Sequence, residues 1–408
     1  ARTMRGRDEI VGITRFLNVA AAASLVLIGA TMIPARLVAH DSAAKVSHET
    51  SRLTGEGGPD IFLFMLDAYA GADVLESHYG IDNAPFLDAL EERGFFVARH
   101  AHGNYQWTSL AMASLLNMRY ILEPEEGPRR LPIAWNRTEY AVRPQYLDSI
   151  VVHELRRRGY EFIAFETPQS GLQLYTADRF LVSGRGLSEF QRAALDATLP
   201  MMLMAAADIP INRLLHDAHR RRRIRFIFDS VKTFSGADRP AFVLAHVMAP
   251  HPPFVFHRDG SPNRAARETT DAEYVAGYSE QLLYINACIL DAIDDLQSRL
   301  PNAVIVVQSD HGARSPALRS DHLDSYAREF LSSLNAVYVP GGVQYDRLSP
   351  GFSQVNTFRY LFGAVFDDQR TLLPDISYLE VDAKARLFVP VEWRGFEPIF
   401  VDTESTPR

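Results

Sequence analysis

The sequence predicts an α/β fold: a largely parallel central sheet with helices on both faces, preceded by an N-terminal transmembrane helix. Three observations carry this expectation. Four short apolar runs read as buried strands, helical patterns lie between them, and an 18-residue stretch without a charge stands near the amino terminus. With 408 residues, 47% of them apolar and 23% charged, the chain can bury a substantial core as one large α/β domain or two smaller ones.

The uncharged stretch FLNVAAAASLVLIGATMI runs from Phe16 to Ile33, near the minimum length that crosses a bilayer. Arg2, Arg5, Arg7 and Arg15 precede it, so the positive-inside rule puts residues 1–15 in the cytoplasm and everything after Pro34 outside. The span is taken as residues 16–37. A buried helix or a cleaved signal peptide are the alternatives, and the small residues around Pro34 to Ala39 speak for cleavage. Residues 38–58 are polar with no apolar period, as suits a tether. The folded domain starts at Pro59, with a catalytic portion over 59–345 and a C-terminal extension over 346–408 packed on it.

The strand candidates are IFLFML (Ile61 to Leu66), FIAFE (Phe162 to Glu166), FVLAHVM (Phe242 to Met248) and AVIVVQS (Ala303 to Ser309). Helical patterns follow in APFLDALEERG, ending at Gly94, in PQYLDSIVVHELRRRG, ending at Gly159, and from about Asp271 to Leu300. Alternation of strand and helix implies parallel pairing. NAVYVPGG, Asn335 to Gly342, could add a strand, and SQVNTFRYLFGAVF reads as a capped helix. The tail after Pro374 reads as irregular.

A net charge of −8 argues against a nucleic-acid partner, which calls for a broad basic surface. The basic run HRRRRIRF, His219 to Phe226, reads as a solvated helix face, with an anionic lipid or substrate contact as the other reading. Cys288 is the only cysteine, which excludes intrachain disulfides and thiolate zinc clusters; it lies in an apolar helical pattern and reads as inert core.

Ligands of open α/β sheets bind at the carboxyl ends of the strands. Here the first strand runs into Asp67, the last into Asp310 and His311, and FVLAHVM into APHPPF with His251. A lone Asp at a strand end is an ordinary turn or cap residue. Asp310 and His311 beside Gly312 say more, because a carboxylate and an imidazole can turn toward one cation, and such oxygen and nitrogen donors suit zinc, manganese or magnesium. Asp67 and the Thr108 oxygen would complete four ligands. In NYQWTSLAMASLLNM, Thr108 and Ser109 stand where a loop becomes a helix. Either hydroxyl could cap the helix, or one could be a nucleophile whose pKa a metal lowers.

The ordered set LDAYAG, NAPFLDALEERGF, NYQWTS, AHVMAPHPPF and SDHG resembles the sulfatase-like branch of the alkaline phosphatase superfamily. The likeness is greatest to its membrane-anchored phosphoglycerol and phosphoethanolamine transferase members. It spans Asp60 to Gly342, and VNTFRYLF extends it. The resemblance implies an alkaline phosphatase-like fold, with Asp67, Asp310 and His311 as metal ligands and Thr108 as the metal-bound nucleophile, chosen over Ser109 by its place after the Asn-Tyr pair. A phospho-threonine intermediate follows from the same likeness. His251 would contact the phosphoryl group or protonate a leaving group, and Arg314 and His322 would touch substrate. One divalent ion is expected, zinc or manganese ahead of magnesium.

Two departures matter. The C/S-x-P-x-R context of arylsulfatases is missing around Thr108, which disfavours sulfate ester hydrolysis. A second metal would need another Asp and two more His, and His246, Asp321 and His322 are poorly spaced for it. His246 reads equally as a core histidine. The expected function is a phosphoryl-group (phosphoalcohol) transferase held in the inner membrane, its catalytic domain extracytoplasmic or periplasmic, acting on envelope phospholipid or glycan. The rivals are a phosphodiesterase or phosphatase with the same site, a non-catalytic envelope scaffold and, more remotely, a serine hydrolase, for which no G-x-S-x-G elbow surrounds Ser109.

Overall fold

A computed structural model of the chain describes residues 58–122, 129–130, 138–184, 211–235, 239–263, 270–315 and 323–400. The chain divides into two units, residues 1–55 with 187–212, and residues 56–186 with 213–408. The expected cytoplasmic segment, the expected span over 16–37 and all of the tether but Gly58 lie outside the described residues. Among the described residues no helix is long and apolar enough to cross a membrane. The second unit carries every described candidate site residue.

Its centre is a seven-stranded sheet. Strand β1 (Ile61–Leu66) is buried along its whole length, the pattern of a strand covered on both faces. Alternate residues divide between two cores: Phe62, Phe64 and Leu66 pack on one side, and Ile61, Leu63 and Met65 on the other. Helices α1 (Ala72–Ser77) and α2 (Ala84–Glu92) follow, then β2 (Phe96–Val97), α3 (Thr108–Asn117), the two-residue β3 (Arg129–Arg130), α4 (Thr138–Leu147), α5 (Ile150–Arg157), β4 (Glu161–Phe165) and β5 (Arg179–Leu181). Helix α6 (Ile211–Lys232) leads to β6 (Ala241–Val247), and the long α7 (Asp271–Arg299) to β7 (Val304–Ser309). After α8 (Leu323–Leu331) come β8 (Asn335–Tyr338) and α9 (Thr357–Phe366).

The strand order is β2-β8-β7-β1-β6-β4-β5. The pairs β1·β6, β1·β7, β4·β6 and β4·β5 are parallel, whereas β8 runs antiparallel to β7 and β2. The sheet is therefore largely parallel, as expected, with an antiparallel edge. Register aligns the ends that matter: Leu66 stands opposite both Val247 and Ser309, so Asp67, Met248 and Asp310 leave the sheet side by side.

Local chemistry explains the helix ends. Gly94 follows α2 with φ of 83°, a left-handed position that suits glycine. Thr270 and Glu273 form a reciprocal capping box at the start of α7. The single helix expected up to Gly159 is two helices, because Ser149 adopts an extended conformation and caps α5 by accepting from Val152 N–H. Helix α3 also departs from the simple expectation. Its N-cap is Trp107, with no side-chain cap bond, so neither Thr108 nor Ser109 is spent on capping.

The tail after Pro374 is not irregular. It forms β9 (Ser377–Asp382), β10 (Leu387–Arg394) and β11 (Glu397–Phe400), an antiparallel sheet joined by β3. Pro390 inside β10 argues against a strand when read alone, yet it pairs with Tyr378 on β9. Leu379, Val389 and Val391 close a small third core with Ala327 and Leu331 of α8. The basic run in α6 is a solvated face only in part: Arg222 and Arg225 are exposed, whereas Arg220 and Arg223 are both buried.

Candidate active site

Parallel register delivers the acidic and imidazole groups to one place. Asp67 and Asp310 are fully buried and His311 nearly so. Ligand atoms of Asp67, Asp310 and His311 all lie within 4.8 Å of one another. His311 Nε2 stands 3.3 Å from Asp310 Oδ2 and 3.8 Å from Asp67 Oδ1. The His311 Nδ1 group bonds to Gly312 O at 2.7 Å, which leaves Nε2 as the nitrogen facing the carboxylates.

Asp310 Oδ1 accepts from Ala68 N–H at 3.1 Å and His311 N–H at 2.9 Å. The Thr108 hydroxyl, at the first residue of α3, stands beside the Asp310 carboxylate and favours its charged form. That brings the fourth expected group to the other three. Gln354 adds a brace from the C-terminal extension by donating Nε2–H to Asp310 O at 3.0 Å. Gly312 earns its place by packing rather than flexibility, since a Cβ there would run into the Glu329 carbonyl.

The electrostatics are those of charged groups sealed from water. Burial pushes Asp67 up, but the imidazoles of His251, His246 and His311 outweigh it and hold the carboxyl well below the usual range. Burial and the adjacent Asp67 charge push Asp310 upward. His311 falls to about 3 through burial and the nearby Arg314 guanidinium. His251 is also lowered, chiefly by burial.

A divalent ion fits this donor set. Asp67 Oδ1 and Asp310 Oδ2 are buried with no hydrogen-bond partner, a costly state for carboxylate oxygens unless a cation faces them. Two carboxylates, one imidazole and a hydroxyl suit zinc or manganese. His246 answers the question left open by sequence: its Nε2 lies 3.2 Å from Asp67 Oδ2, so it belongs to the site rather than to the apolar core.

His251 is held beside this cluster by its N–H, which donates to Asp67 O at 3.0 Å, and its Nδ1 bonds to Pro252 O at 2.5 Å. Arg314 is present too. Its Nη2 donates to Gln106 O and stands 3.3 Å from His311 Nε2, while the guanidinium lies over Trp107 at 4.7 Å and Phe330 at 5.4 Å. His322 and Asp321 lie outside the described residues. Sequence reading missed Gln354 and Glu380, which reach the site's loops from far along the chain and carry no motif of their own, and gave no role to Gln106 inside NYQWTS.

The family model described as Sulfatase matches residues 59–331. No curated protein matches the chain. Among solved structures, the C-terminal periplasmic domain of EcEptC from Escherichia coli in complex with Zn is similar at a TM-score of 0.52 and 11% identity, covering 87% of this chain and 96% of that one. A second structure of the C-terminal periplasmic domain of EcEptC from Escherichia coli is similar at a TM-score of 0.51 and 12% identity, again over 87% and 96%. At such identities the likeness is one of fold.

Proposed function

This chain belongs to the sulfatase family, and on that premise we propose that it is a membrane-anchored, metal-dependent transferase that moves a phosphoalcohol group to an envelope lipid or glycan through Thr108. It is an enzyme of the alkaline phosphatase superfamily. The observation that carries the finer reading is the meeting of Thr108 with the three-ligand cluster of Asp67, Asp310 and His311. The resemblance of NYQWTS and SDHG to the phosphoglycerol and phosphoethanolamine transferases supports the transferase class. The similar fold of a periplasmic domain described in complex with Zn supports zinc and a periplasmic setting.

Each residue has a task in this reading. Asp67, Asp310 and His311 would hold one divalent ion, which when bound stabilises negative charge on the nucleophile and on phosphoryl oxygens. Thr108 attacks phosphorus, its proton passing to the neighbouring Asp310 carboxylate, and the bond to the departing alcohol breaks. Because Nδ1 of His251 is committed to Pro252 O, its Nε2 exchanges protons. It gives one to the departing alkoxide and later takes one from the incoming alcohol. That alcohol attacks phospho-Thr108, the Thr108 oxygen leaves and recovers its proton, and the cycle closes. Arg314, with His322, would contact the anionic substrate.

The test is mass spectrometry of protein incubated with envelope phospholipid, with and without glycan acceptors. A phosphoalcohol adduct on Thr108 that is discharged to an acceptor is expected, and Thr108→Ala should form none. Discharge to water alone would make the enzyme a phosphodiesterase.

A further inference from the structure

We propose that Arg220 is a positioning residue for His251, acting with Gln281 to fix the peptide from which the imidazole projects. The segment from Met248 to Pro253 contains three prolines, none of which can donate a backbone hydrogen bond. Its own donors make two bonds, Ala249 N–H to Val247 O at 2.7 Å and His251 N–H to Asp67 O at 3.0 Å. The carbonyls of Met248, Pro250 and His251 therefore depend on side chains brought from elsewhere.

Two helices supply them. From α6, Arg220 Nη2 donates to Met248 O and to His251 O, the latter at 2.7 Å. From α7, Gln281 Nε2 donates to Pro250 O and His251 O, both at 3.2 Å. Gln281 Oε1 accepts from Val255 N–H at 2.8 Å, which pins the far end of the segment and the orientation of the amide. The His251 carbonyl thus receives two donors while its N–H is bound to Asp67 O, so both peptides flanking its Cα are held. With Nδ1 tied to Pro252 O, the ring is fixed to that backbone and Nε2 follows wherever the peptide points.

Arg220 is 9% exposed in a run whose charges would otherwise face water, and burying a guanidinium costs free energy unless its hydrogen bonds return it. Both carbonyls are served by the one Nη2 amino group, whose two N–H donors are held in the plane of the guanidinium. A shift of about 1 Å in a reacting group can slow turnover about 100-fold, so the clamp bears on rate without touching substrate.

The proposal rests on the proton-transfer role given to His251, and the test separates the two. With the full metal-loaded chain, turnover is measured on two phosphodiesters, one releasing 4-nitrophenolate and one releasing a simple alkoxide. Arg220→Met is expected to lower kcat on the alkoxide diester about tenfold, with KM changed by less than about twofold and little effect on the nitrophenyl diester. Arg220→Lys should recover part of the loss, and Arg220→Met with His251→Ala should be no slower than His251→Ala alone. Proton NMR of the His251 Nδ1–H should show that resonance shifted or broadened in Arg220→Met. Should that variant fail to fold, Gln281→Met removes the uncharged arm and carries the same expectations. An unchanged Nδ1–H resonance, or losses that simply multiply in the double variant, overturns the proposal. If His251→Ala is silent on both substrates the proton role falls, and the resonance alone decides the case for Arg220.

Discussion

His246 Nε2 lies 3.2 Å from Asp67 Oδ2, while Asp67 Oδ1 has no partner and remains directed to the cluster. The imidazole thereby fixes which oxygen of the carboxylate is offered to a cation. Groups that orient a metal ligand in this way typically contribute about 10- to 100-fold to metal affinity. His246→Phe should weaken zinc affinity by that factor in a chelator competition, with His246→Gln falling less. Equal affinities in all three proteins would remove His246 from the site.

Metal binding to the folded state alone must raise stability. At free zinc about 100 times its dissociation constant, the gain is about 2.7 kcal/mol. Thermal unfolding of the wild-type chain should therefore shift upward on adding zinc and return on chelation. Asp310→Asn, which weakens a ligand without changing shape, should lose most of that shift, and an unchanged shift would take Asp310 out of the ligand set.

How far the site was legible follows from where its residues sit. Asp67, Asp310 and His311 directly follow β1 and β7, and parallel register turns adjacency to a strand end into adjacency in space. That made them readable from short apolar runs. Thr108 was readable only as a hydroxyl at a loop-to-helix turn, and its approach to Asp310 depends on a loop path that no periodicity encodes. The C-terminal sheet was missed because β9 is buried on both faces at its start, which removes the period-two signal, and because Pro390 breaks the pattern of β10. The basic run misled for a related reason: charge composition does not reveal that Arg220 turns inward to unpaired carbonyls.

The C-terminal sheet bears on the turn that precedes Thr108. Trp107 donates its indole N–H to Glu380 Oε2 at 3.0 Å, and Glu380 Oε1 accepts from Arg386 at 2.9 Å. Gln106 Oε1 accepts from Glu380 N–H at 2.8 Å. Glu380→Ala should lower the urea unfolding free energy by about 1–3 kcal/mol, because it strands an indole donor and a guanidinium. It should also slow adduct formation on Thr108 while zinc affinity stays near wild type. A variant with normal adduct rate would show that the sheet supports stability alone.

Glu329 gives the chain a pH-dependent stability away from the ligand cluster. Its Oε1 accepts from Tyr79 O–H at 3.1 Å and from Ser315 N–H, whereas Oε2 is buried without a partner. Burial pushes its carboxyl up to about 7, from an ordinary value of 4.5. An acid raised in the folded state holds its proton there longer than in the unfolded chain, so between about pH 4.5 and 7 the folded form binds more protons and stability falls as pH rises. The full penalty, up to about 3 kcal/mol, is reached above pH 7. Glu329→Gln mimics the protonated acid and should flatten that fall. Urea unfolding at pH 5 and pH 8 should thus show the wild type losing stability relative to Glu329→Gln at the higher pH, and parallel losses in the two proteins would mean that Glu329 is ionised throughout.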